Sequence, residues 1–69
     1  MNQGINVGII GLGVIGASLG MSLRHCCPGI NVWGQDIDRH TEMTALKIGA
    51  IDELLNSERI AQCAVVVIA

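Results

Sequence analysis

The sequence predicts an α/β protein built on a parallel sheet. Short β-branched apolar runs alternate with stretches of helical period, and Gly, Pro-Gly or Asp marks the changes from one to the other. The composition agrees, with 51% hydrophobic and only 14% charged residues. That is too apolar for a disordered segment, and it suits strands covered on both faces, as in parallel sheets.

The elements follow in order. Ile5 to Ile10 is a short apolar run and reads as a buried strand. Gly11 to Gly13 breaks it, and from Val14 the period changes. Ile15, Leu19, Leu23 and Cys26 recur at three or four residues, predicting a helix with one buried stripe that Pro28-Gly29 stops. Ile30 to Gln35 reads as a second strand, ended by Asp36. Asp38 is placed to cap a second helix whose apolar stripe is Met43, Leu46 and Ala50. Lys47 in its last turn and Gly49 beyond it are stop signals. Ile51 to Ala61 is ambiguous, with Asp52 or Ser57 as possible caps of a short helix. Ala64 to Ile68 reads as a further buried strand. The alternation implies parallel pairing, with the first strand flanked by the second and by the Ala64–Ile68 strand.

Several function classes are excluded by composition. The net charge is −2 and the four basic residues, Arg24, Arg39, Lys47 and Arg59, are dispersed, so no basic patch exists for nucleic acid. Trp33 is the only aromatic residue, which removes base-stacking platforms. Met1 to Leu23 carries no charge, but no basic segment precedes its apolar run as a signal peptide would need. Glycines at positions 8, 11, 13, 16 and 20 are better explained by a turn and a packed helix than by a membrane span. The three cysteines, Cys26, Cys27 and Cys63, have no disulfide-framework or metal spacing and read as small, reduced, buried apolar groups of a cytoplasmic protein. His25 and His40 read as surface residues.

One motif carries chemistry. Gly11-Leu12-Gly13-Val14-Ile15-Gly16 matches G-x-G-x-x-G between a predicted strand and a predicted helix, and Asp36 lies 20 positions after Gly16, where the dinucleotide fingerprint places its acid at about 20. In that pattern Gly11 permits the turn and Gly13 lets backbone approach a pyrophosphate. Gly16 lets the helix pack closely on the sheet. The amides near Val14 and Ile15 offer the positive end of the helix to the phosphates. Asp36 would accept from the adenosine ribose hydroxyls, which favours NAD over NADP, and Arg39 is placed to lie over the adenine or meet a 2′-phosphate. The candidate cofactor-binding set is therefore Gly11, Leu12, Gly13, Val14, Ile15, Gly16, Asp36 and Arg39. A dinucleotide-binding domain has two such halves over ~150 residues. The 69 residues thus fit the first half of a Rossmann-type sheet, incomplete by itself and without a substrate domain.

The sequence resembles the prephenate and arogenate dehydrogenases of tyrosine biosynthesis. Val7-Gly8-Ile9-Ile10-Gly11-Leu12-Gly13-Val14-Ile15-Gly16-Ala17-Ser18-Leu19 is similar to that family's opening, and Val32-Trp33-Gly34-Gln35-Asp36 to its second strand. Ala45 to Asp52 is similar to its Ala-x-x-x-Gly-x-Ile-Asp stretch, and Val65 to Ala69 to its next core strand. Gln62-Cys63-Ala64 and Cys26-Cys27-Pro28 depart from the pattern. The resemblance implies NAD-dependent oxidative decarboxylation in the parent protein. A helical domain beyond Ala69 would supply the catalytic His, the substrate-binding Arg residues and a homodimer contact. No catalytic residue is carried over to this chain, which is expected to be inactive alone. A β-hydroxyacid dehydrogenase-type NAD(P) domain and a non-catalytic NAD-sensing module are the alternatives.

Overall fold

The computed structural model describes residues 4–69, so Met1 to Gln3, the start of the uncharged stretch, lie outside the described residues. Seven elements follow one another: β1 (Ile5–Ile10), α1 (Val14–Cys26), β2 (Ile30–Gln35), α2 (Arg39–Ile48), β3 (Glu53–Leu54), α3 (Ser57–Ile60) and β4 (Val65–Ile68). The four strands form one sheet in the order β3-β2-β1-β4, and every pairing is parallel. The protein is thus α/β with an all-parallel sheet, an arrangement compatible with half of a Rossmann-like fold. As expected, β1 lies between β2 and β4, with Val7 opposite Val32 on one side and Val65 on the other.

The two-residue strand β3 was not legible in the sequence. It forms because Ile51 and Leu55 bury on either side of Glu53-Leu54, while the Asp52 and Leu55 amides donate to the Val32 and Gly34 carbonyls at 2.7 Å each. The cap of α3 is neither Asp52 nor Ser57. Asn56 takes that place, its side chain accepting from the Arg59 N–H at 2.8 Å. Asp52 is committed elsewhere, accepting from the Val32 N–H at 2.7 Å and pairing with Arg24 at 2.9 Å. Asp38 does cap α2, accepting from the His40 N–H, and Gly49 closes α2 in the left-handed conformation with φ 80°.

The buried core is Ile9, Leu12, Val32, Ala45, Ala50 and Ile51, with Ala17, Leu19, Leu23 and Leu46 packed against it. This corrects the helical stripes. Leu19 and Leu23 pack against the core as expected, but Ile15 is 77% exposed and Cys26 is exposed, which shifts the buried face of α1. It is centred on Gly16 and Gly20, the two buried residues of the helix. A Cβ at Gly16 would land on the Gly11 carbonyl oxygen, and one at Gly20 on the Ala50 carbonyl oxygen. Backbone-to-backbone approach replaces side-chain interdigitation there, and Leu19 and Leu23 flank the contact. On α2, Met43 is half-exposed and Ala45 takes the buried place. The cysteines also differ from expectation: Cys26 is exposed, and Cys27 and Cys63 are half-buried. Strand β4 is at the sheet edge, with Val65 and Ile68 exposed, because no described element covers its outer side. No helix among the described residues is long and apolar enough to cross a membrane.

The close seating of α1 predicts an inverted mutational sign. Gly→Ala inside a helix ordinarily stabilises by about 0.5–1 kcal/mol, but forcing a methyl into a closed backbone contact costs about 1–3 kcal/mol. Gly20→Ala is therefore expected to destabilise by about 1–2 kcal/mol, read as a lower urea midpoint at unchanged slope. A midpoint equal to or above the parent's would show that the contact is not close.

Candidate functional site

The carboxyl ends of β1, β2 and β4 meet at one end of the sheet, and the sequence-predicted loop and acid come together there. Gly11 leaves β1 with φ 102°, and a Cβ on it would lie 2.7 Å from the Ala69 carbonyl oxygen. Both the turn and the passage of the chain after β4 therefore require glycine at this position. The Gly11 amide donates to the Gln35 carbonyl at 2.8 Å, tying the loop to the end of β2.

Gly13 is the N-cap of α1 in an extended conformation, and no side chain caps the helix. The first intrahelical bond runs from the Ala17 N–H to the Gly13 carbonyl at 2.9 Å. The amides of Val14, Ile15 and Gly16 accordingly have no intrahelical acceptor, and no acidic side chain stands in the first turn to take them. A cavity of about 380 Å³, lined by Gly11, Gly13, Val14, Ile15, Gly16, Asp36 and Ala69, opens over these groups. A second, of about 420 Å³, lies on the other side of Asp36 and includes Gln35, Ile37, Glu42 and Leu55. Gly11, Asp36 and Ala69 line both.

Asp36 is held by backbone. Its Oδ2 accepts from the Leu12 N–H at 2.7 Å and its Oδ1 from the Asp38 N–H at 2.9 Å. Those two donors, Leu12 first, hold its carboxyl below the ordinary value of 3.8 against a smaller opposing effect of burial. A carboxylate has about four lone-pair sites, so each oxygen retains capacity for a ligand hydroxyl.

The remaining candidates are placed differently. Leu12 is 3% exposed, its side chain sits in the core and its amide is given to Asp36, so it orients the acid rather than lining either of these two cavities. Val14 and Ile15 are exposed at 86% and 77% beside the loop. Arg39, the first residue of α2, is exposed and lines neither cavity. His25 and His40 are likewise exposed and outside both. Glu42 went unnoticed in the sequence. Its Oε2 accepts from the Asp36 N–H at 3.0 Å, which brings a second carboxylate to the cavity beyond Asp36. The available signal was the first-turn position of Glu42 on α2, six residues after Asp36. Among the described residues no group of three or more His, Cys, Asp and Glu side chains is placed to hold a metal ion.

Compared with known proteins, the chain finds no match: no family model fits it, and no curated protein or solved structure is significantly similar.

The lowered value of Asp36 makes a signed prediction. A carboxyl titrating lower in the folded state contributes stability that is fully present above 3.8 and is lost as pH falls through its folded-state value. Asp36→Asn should therefore be less stable than the parent at neutral pH, and the gap should close below pH 3.8. Denaturant midpoints of both proteins between neutral and strongly acidic pH give the measurement. A gap that is constant with pH would mean the two amide bonds do not depend on the charge.

Proposed function

We propose that this chain holds the pyrophosphate and adenosine ribose of NAD, as the first half of a Rossmann-type domain in a dehydrogenase resembling those that act on prephenate or arogenate. One observation carries the dinucleotide reading. Gly13 is a glycine that the fold itself does not require: its φ is −70°, and a Cβ there would meet nothing within 4 Å. Its neighbours Gly11 and Gly16 are accounted for by conformation and packing. A residue kept bare over open space, at the start of an uncapped helix, suits close approach by an anionic group.

The residues divide the cofactor between them. The amides of Val14, Ile15 and Gly16, with Gly13 clearing the way, would hold the phosphates. Asp36, shared by both cavities, would take the ribose hydroxyls. The exposed Ile37 and the Leu55 side would border the adenine. Bound NAD would supply the hydride acceptor. The particular substrate, the catalytic His and Arg residues and the homodimer rest on the resemblance of the motifs, and a cytoplasmic setting rests on the three cysteines having no disulfide-framework spacing. None of the described residues is given a catalytic role.

Two variants test the reading on the intact protein. Gly13→Ala is expected to change stability by less than about 1 kcal/mol, yet to weaken NAD binding at least about tenfold by placing a methyl where phosphate oxygens approach. Undiminished binding would remove the phosphates from this loop. The parent should prefer NAD to NADP by about tenfold or more, since a 2′-phosphate would meet a carboxylate. Asp36→Ser should narrow that preference, and Asp36→Ser combined with Glu42→Gln should narrow it further, because Glu42 leaves a negative charge beside the same cavity. Equal affinity for both cofactors in the parent would take Asp36 out of this role.

A further inference from the structure

Cys26 and Cys27 close α1 at the end away from the glycine loop, about 20 Å of helix from Gly13. Consecutive helical residues do not face each other, yet here the two sulfurs lie 3.1 Å apart. The backbone explains it. Cys26 is the last helical residue, and Cys27 leaves the helical path with φ −131° and ψ 76°. Its amide is still held by the Leu23 carbonyl at 2.9 Å. Cys26 is exposed and Cys27 half-buried, Pro28 and Gly29 beyond them are exposed, and neither thiol belongs to the core or to the cavities at the glycine loop.

Two thiols so placed can be oxidised together or can share a ligand. Oxidation is poorly served by the chain. Adjacent Cα atoms are ~3.8 Å apart, short of the ~4.4–6.8 Å that disulfides span, so a bond between neighbours is strained and readily reduced. The pair therefore rests as a dithiol. The Cys27 thiol is held above its ordinary value, chiefly by the hydrogen bond with Cys26 and further by burial. Sharing a ligand needs no redox step, and paired sulfurs select soft, thiophilic centres.

We propose that Cys26 and Cys27 form a bidentate site for a trivalent thiophilic centre of the arsenical type. With an organoarsenic(III) oxide the step balances without an oxidant. Two S–H bonds and the arsenic–oxygen bond break, and two As–S bonds form. Both thiol protons leave with the oxygen as one water molecule, and arsenic stays trivalent. Cys63 offers no such site, since its single thiol donates to the Arg59 carbonyl at 3.3 Å.

Phenylarsine oxide is the probe, titrated into the full chain in the presence of excess monothiol and followed by intact-mass spectrometry. The parent should take up one arsenical with loss of one water and release it to ethanedithiol. Cys26→Ser and Cys27→Ser should each weaken uptake by about a hundredfold or more, the advantage of making the second bond intramolecular. Cys63→Ser should bind as the parent does. Circular dichroism of each variant separates a lost ligand from a lost fold, and labelling of the parent with a single-thiol reagent before titration tests the pair without mutation. Uptake within threefold of the parent in either Cys26→Ser or Cys27→Ser, loss of uptake in Cys63→Ser, or uptake unaffected by prior labelling would overturn the proposal.

Discussion

Helix α1 lies so close to the sheet that one methyl group at Gly16 or Gly20 would collide with a backbone carbonyl. Much of the molecule depends on that approach. It lets Ile9 of β1 reach complete burial beneath the helix, with Leu19 and Leu23 closing the flanks. It brings Gly11 and Gly16 into contact, which fixes the direction in which the first turn of the helix points. A larger residue at either place would lift the helix and re-aim its free amides, so packing and the candidate anion site share one constraint.

The second constraint is the bond from the Leu12 amide to Asp36, which joins the loop after β1 to the end of β2. Leu12 anchors it from below by burying its side chain among the core residues. The acid is thereby oriented by the fold itself rather than by a ligand. Glu42 extends the arrangement, since its carboxylate takes the Asp36 amide from the first turn of α2. Acidic groups stabilise a helix N-terminus, so Glu42 serves α2 and charges the cavity at once. Two carboxylates and no cation among the residues lining the cavity make it a place that disfavours additional negative charge near Asp36.

At the far end of the helices, Arg24 gathers three elements. It donates to the Gly49 carbonyl at 2.6 Å and pairs with Asp52, whose other oxygen takes the Val32 amide. An exposed ion pair by itself is worth little, but this one also satisfies a carbonyl at the end of α2. Arg59 plays a matching part near β3, bonded to the Leu54 carbonyl and lying over the Trp33 ring at 5.3 Å. Arg24 and Arg59, which look dispersed along the sequence, are thus structural fasteners. This fits the absence of a basic patch.

What the sequence determined by itself was local. The apolar runs, Asp38 as a cap, Gly49 as a stop, and the glycine loop followed by Asp36 are properties a segment has through its own backbone and period. They were legible because strand, cap and turn chemistry act over a few residues. The tertiary structure decided what depends on distant partners. Periodicity chose Ile15 and Cys26 for the buried stripe of α1, whereas the backbone contact at Gly16 and Gly20 turned Ile15 outward. Strand β3 exists only because β2 offers it carbonyls, and Asn56 caps α3 where Asp52 is already held by Arg24 and Val32. Glu42 reaches Asp36, and the two cysteines meet, through local departures from regular structure that no period encodes. The exposure of β4 follows from the same rule, since a strand of valines is buried or bare according to what lies beside it, and its own residues do not say which.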